Sequence, residues 1–86
     1  VNWEVAFTTG ALRGLERLPE KVATAIVSFA TETLPANPHR MSKPLRDELE
    51  GFYSARRGDY RVIFSLDEQL GQLLIIRVSH RSDSYR

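Results

Sequence analysis

The sequence contains no cysteine, so neither disulfides nor thiolate metal sites can support its fold. Histidine is almost as scarce. His39 and His80 are the only two and lie far apart in the chain, so no structural or catalytic zinc site is expected. No apolar run approaches the ~20 residues that span a bilayer, and nothing at the start reads as a secretory signal. The expectation is a cytoplasmic protein that does not engage membranes. A large excess of charge of one sign is missing too, because the net charge is +1. Residues 1–38 carry three basic and four acidic side chains, and residues 39–86 carry nine and seven. That imbalance is too weak for non-specific nucleic-acid binding, which draws its affinity from many phosphate contacts. Any nucleic-acid role needs a focused basic patch and a partner that delivers the substrate.

What is present describes one small globular domain spanning residues 1–86. A hydrophobic content of 42% with 27% charged residues can close one core in 86 residues. Trp3, Val5 and Phe7 alternate with polar or small neighbours and predict a short first strand. Thr8 or Thr9 is a candidate helix cap, followed by Leu12, Leu15 and Leu18 on a short amphipathic helix. Pro19 and Glu20 suit the first turn of a second helix. Val22, Ile26, Phe29 and Ala30 form its apolar stripe, and it is expected to stop by Leu34-Pro35. Residues 35–51 hold three of the four prolines and read as an extended, locally basic connector. Strands follow at about 52–57 and 60–66. After a turn over Asp67–Gly71, the apolar run Leu73–Val78 has the composition of a central strand. The order is β-α-α-β-β-β, class α+β, with a helical hairpin packed on one face of a mostly antiparallel sheet.

The most informative stretch is Tyr53–Phe64. Gly58-Asp59 is a Gly-X pair suited to a two-residue hairpin turn. With that turn, Arg56 faces Arg61, while Tyr53, Ala55, Val62 and Phe64 share the core face. Like charges directly opposite one another are destabilising. Either the two arginines are splayed into solvent, or they share an anion. Parity along the last strand puts Arg77 and Arg81 on the same open face if Ile76 and Val78 meet the helices. Four arginines and Tyr85 would then gather around one shallow cleft. Arginine suits phosphate because its planar fork binds two oxygens and stays charged. Histidine is a common general base, but the same parity points His80 toward the helices, which favours a histidine bonded to backbone over that role. Tyr60 and Trp3 read as packing residues, and His39 as a surface residue.

These motifs, with Leu18-Pro19, Asn37-Pro38, Leu49-Glu50-Gly51-Phe52-Tyr53, Arg56…Gly58-Asp59-Tyr60-Arg61-Val62 and Val78-Ser79-His80-Arg81…Tyr85 in order, resemble the RelE/ParE toxin superfamily along essentially the whole chain. The RelE branch is the more similar. The resemblance implies a toxin of a type II toxin–antitoxin pair that enters the ribosomal A site and cleaves mRNA there. Its chemistry would be metal-independent attack of a 2′-hydroxyl on the adjacent phosphate, with no cofactor. It further implies Arg56 and Arg61 as grips on the scissile phosphate, Arg81 as a phosphate support or leaving-group acid, and Tyr85 as stacking partner or base. Lys43, Ser54, Arg57 and Arg77 are the further RNA-contact candidates. Ser54 departs from the pattern, since family members often carry lysine or arginine there. The implied partners are the ribosome with its mRNA and ribosomal RNA, a RelB-like antitoxin that folds an amphipathic segment onto the helical hairpin, and operator DNA only through that antitoxin complex. Two other readings share the fold: a ParE-like inhibitor of DNA gyrase, and a non-catalytic homologue acting mainly in a repressor complex.

Overall fold

A computed structural model describes residues 3–83. Five strands, β1 (Glu4–Phe7), β2 (Ser42–Pro44), β3 (Phe52–Arg57), β4 (Tyr60–Asp67) and β5 (Gln72–His80), form one sheet in the order β1-β5-β4-β3-β2. All neighbours are antiparallel except β1 and β5, which run parallel. Two helices, α1 (Thr9–Glu16) and α2 (Glu20–Ser28), cover one face. Class and layering agree with the sequence reading. The extra strand is β2, inside the segment expected to be only a connector. Three residues containing a proline carry no alternation to detect, and pairing with β3 alone makes them a strand. No helix among the described residues is long and apolar enough to cross a membrane.

The helical layer follows from its caps. Thr8 takes an extended backbone at the N-cap of α1, and its Oγ1 accepts from the Ala11 amide at 3.1 Å. The same hydroxyl donates to the Ile76 carbonyl at 3.0 Å, tying the helix start to β5. Ala11 and Leu15 are buried, whereas Leu12 is 50% exposed and is not part of the core. Ala11 and Leu15 are about 40° apart around the helix and Leu12 is about 100° from Ala11, so a helix that rests on its Ala11 side turns Leu12 toward solvent. Ile26 and Ala30 are buried, with Val22 and Phe29 packed beside them, as the second stripe predicts. The chain does not stop at Leu34-Pro35. A π-helical turn over Phe29–Thr33 and a 3-10 turn over Leu34–Ala36 carry the coil on, with Leu34 in helical geometry despite the following proline. Complete burial of the Leu34 side chain outweighs that local preference.

α1 lies close against β5 because Gly14 has no side chain. A Cβ at Gly14 would stand 2.7 Å from the Val78 carbonyl oxygen, a backbone atom that cannot swing away. Gly14→Ala is therefore expected to lower stability by about 1–2 kcal/mol, the overpacking cost outweighing a helix-propensity gain of about 1 kcal/mol. Urea denaturation checks this against Gly10→Ala, whose Cβ would meet the Ile76 carbonyl at an ordinary 3.6 Å. Equal midpoints for the two variants would refute the close approach.

The core is the helix-facing side of β3, β4 and β5. Phe64, Val62, Leu73 and Ile75 are completely buried there, with Tyr53 stacked on Phe64 at 5.6 Å. On β5, continuous parity fails. The register shifts between Ile63 and Phe64, which face Arg77 and Ile75 and leave Ile76 as an extra residue. This bulge lets Leu73 and Ile75 face the helices together with Val78, instead of the expected Ile76 and Val78. The Thr8 hydroxyl takes up the Ile76 carbonyl at the bulge. Arg77 and Ser79 consequently lie in the rows of the open face, and His80 faces the helices opposite Tyr60.

Candidate active site

The hairpin of β3 and β4 closes on Gly58 at φ +61°, with Asp59 at negative φ, the Gly-X arrangement of a type II′ turn. Register runs as the sequence predicts. Arg56 faces Arg61, Ala55 faces Val62 and Tyr53 faces Phe64. Two rows of cross-strand neighbours cross the open face. One is Lys43, Ser54, Ile63 and Arg77, and the other is Arg56, Arg61 and Ser79. β2 therefore adds Lys43 directly opposite Ser54. The basic side chain that the family resemblance leads one to expect at Ser54 thus has a counterpart on the next strand.

These rows form one side of an open cavity of about 420 Å³, lined by Arg40, Lys43, Ser54, Arg56 and Arg61 together with Met41, Ser42, Pro44 and Leu45. Among the described residues, four basic side chains line it and no carboxylate does. Arg56 is exposed and donates through Nε to the Gly58 carbonyl at 3.2 Å, while Arg61 is half-buried. Arg40 comes from the loop that precedes β2. Only the pairing of β2 with β3 brings that loop beside the hairpin, and no local pattern announces it.

The other candidates lie elsewhere. Arg57 is on the helix side of β3, beside Lys21, Ile26, Asp59 and Tyr60. Arg77 shares the open face but lines a different cavity. Arg81 is not on β5. It begins a 3-10 turn, Arg81–Asp83, where strand parity no longer applies. Its amide donates to the Asp59 carbonyl at 2.8 Å, and its Nε stands 3.9 Å from Asp59 Oδ1, with both side chains exposed. That ion pair is worth little in itself, but the backbone bond fixes Arg81 against the β3–β4 turn. Tyr85 lies outside the described residues. His80 packs its ring edge-on to Tyr60 at 5.2 Å. Its Nδ1 accepts from the Ser82 amide at 3.2 Å and lies 2.8 Å from the Ser82 hydroxyl. A nitrogen accepting from an amide carries no proton, so the bond selects the tautomer with hydrogen on Nε2. His39, in the connector, sets its ring edge against Tyr53 at 5.4 Å. Among the described residues, no group of three His, Asp or Glu side chains is arranged to hold a metal ion.

Two helices packed on one face of a five-stranded, mostly antiparallel sheet are the architecture of RelE-type toxins. The crystal structure of the toxin–antitoxin complex RelBE2 from Mycobacterium tuberculosis superposes with a TM-score of 0.91 at 46% identity, covering 96% of this chain and 95% of that one. The toxin of the intact E. coli RelBE complex shares the fold at 20% identity, with a TM-score of 0.72 over 91% of this chain and 95% of that one. The chain belongs to the family described as the ParE toxin of type II toxin–antitoxin systems, parDE, whose sequence model matches residues 5–85. Two curated relatives from Mycobacterium tuberculosis are similar over 98% of this chain. They are Toxin RelE, 52% identical across 87% of its length, and Toxin RelG, 46% identical across 97%.

Proposed function

We propose that this toxin is a ribosome-dependent endoribonuclease that cleaves mRNA in the A site and so blocks translation. The observation that carries the reading is the Arg56–Arg61 pair, directly opposed in a cavity that Arg40 and Lys43 also line, with no carboxylate among the described residues around it. Two guanidinium groups set directly opposite one another can share one phosphate, whose charge offsets their like-charge contact. In the reaction the 2′-oxygen of the substrate loses its proton and bonds to the adjacent phosphorus, while the bond from phosphorus to the 5′-oxygen breaks. That leaving oxygen takes up a proton, and the products are a 2′,3′-cyclic phosphate and a 5′-hydroxyl. Charge builds on the non-bridging oxygens in the transition state, where the guanidinium groups of Arg56 and Arg61 would stabilise it. Arg81, held at the mouth of the same hairpin, and Tyr85 are the candidates for moving the two protons. His80 is directed away from this cavity, and its Nδ1 is engaged by Ser82.

The partner is a RelB-type antitoxin, a reading supported by the 46% identical toxin solved in a toxin–antitoxin complex. Its segment would lie along the outer face of α2, where Ala23, Thr24, Val27 and Thr31 line an open groove of about 410 Å³. Operator DNA would be reached only through that complex. The site of action is the cytoplasm, where ribosomes are translating.

The test is incubation of the purified chain with programmed ribosomes and with free mRNA, followed by mapping of the RNA ends. Cuts confined to the A-site codon, with 5′-hydroxyl ends and little cleavage of free RNA, are expected, because the ribosome supplies the positioning on which such a barrier depends. Equal rates on both substrates would reject ribosome dependence. The match to a family described as ParE toxins keeps the ParE-like reading, in which DNA gyrase is the target, as the second one. No cleavage of either RNA, with gyrase-linked DNA breaks in cells, would establish that reading instead.

A further inference from the structure

β1 pairs only with residues 72–75 of β5, so the last turn of β5 continues beyond it. α1 crosses this free edge, held close by Gly14 over the Val78 carbonyl. The helix brings Arg13 and Arg17 to the edge, one turn apart on the same face. There they line an open cavity of about 550 Å³ with Arg77, Ser79, His80 and Tyr60, and among the described residues no carboxylate lines it. Part of this charge has a local use, since cations near a helix C-terminus offset its partial charge of about −0.5. Two guanidinium groups exceed that requirement. Ser79 Oγ is buried without a hydrogen-bond partner, a hydroxyl with a proton to donate.

We propose that this cavity at the α1–β5 edge is a second RNA-phosphate site, formed by Arg13, Arg17 and Arg77, that holds the RNA backbone beside the cleavage cavity. That the ligand is RNA rests on the endoribonuclease reading. Continuity with the first cavity favours RNA over an acidic peptide. Ser79 is the cross-strand neighbour of Arg61, and Arg77 is its diagonal neighbour, at a typical separation of ~7–8 Å. Basic side chains thus continue from Lys43 and Arg56 across β4 and β5 to Arg13 and Arg17, a track suited to a chain of regularly spaced phosphates.

The source of the phosphate, message or ribosomal RNA, is resolved by two binding arms with the full chain. One probe is a short single-stranded RNA with 2′-O-methyl riboses, which cannot be cut. The other is vacant ribosomes. Each is titrated against salt with wild type, the single variants Arg13→Gln and Arg17→Gln, the double variant Arg13→Gln/Arg17→Gln, and Arg46→Gln, a control charge-matched to the singles that lines neither cavity. Both replaced arginines are exposed, so the variant should fold, and circular dichroism with antitoxin binding checks this. Two lost phosphate contacts should flatten the salt dependence by about 1.4 log units per decade, roughly 25-fold in affinity near 0.1 M salt. Loss on the single strand assigns the site to the message, and loss on ribosomes alone assigns it to ribosomal RNA. Unchanged binding in both arms overturns the proposal, as does a variant that loses antitoxin but keeps RNA. Because neither arm requires cleavage, a wild type that binds and never cuts would defeat the endoribonuclease reading and leave this site standing.

Discussion

Arg61→Ala is expected to slow cleavage of A-site mRNA by about 10²–10³, roughly 2.7–4 kcal/mol of transition-state stabilisation, with the fold intact. The same change at Arg57 should cost far less. The contrast follows from register. Arg61 faces Arg56 on the open side and lines the basic cavity, whereas Arg57 lies on the helix side with Lys21 and Tyr60. Relief of the Arg56–Arg61 repulsion should leave stability unchanged or slightly raised, by a few tenths of a kcal/mol. Single-turnover rates on programmed ribosomes, with urea denaturation of each variant, separate chemistry from folding. A dead Arg57→Ala beside a fully active Arg61→Ala would place the chemistry on the other face of the hairpin.

Phe64→Ala should have the largest effect on stability, about 3–5 kcal/mol. Phe64 is completely buried, stacks on Tyr53, and sits in β4 next to the bulge that resets β5. A domain of this length has roughly 4–13 kcal/mol in total, so the variant should be partly unfolded at physiological temperature. Leu70→Ala is the comparison, because Leu70 is 73% exposed in the β4–β5 turn and should change the urea midpoint very little. A loss below about 1 kcal/mol at Phe64 would mean that the helices do not close over β4 as described.

Both expectations draw on a hairpin that was legible in the sequence. Gly58-Asp59 specifies its turn, and period-two alternation then fixes which side chains share a face. The opposition of Arg56 and Arg61 therefore follows from local rules alone. The same holds for the N-cap at Thr8 and the stripe of Ile26 and Ala30, since caps and helical periodicity act within a few residues. The family resemblance was legible for a related reason, as the order of short motifs survives without knowledge of their contacts.

Three features were settled only by tertiary structure. β2 is too short and too proline-rich to declare itself, yet its pairing with β3 delivers Lys43 opposite Ser54 and brings Arg40 to the cavity. The bulge at Ile76 lets β5 bury Leu73, Ile75 and Val78 while showing Arg77 and Ser79 on the open face, which no single period can express. Arg81 leaves the strand and is fixed by the Asp59 carbonyl, a partner 22 positions earlier in the chain. Sequence by itself determined the local elements, the α+β class and the arginine pair, because propensity, turn chemistry and periodicity are short-range. Tertiary structure decided which further cations join that pair, because strand pairing and bulge placement depend on contacts between segments far apart along the chain.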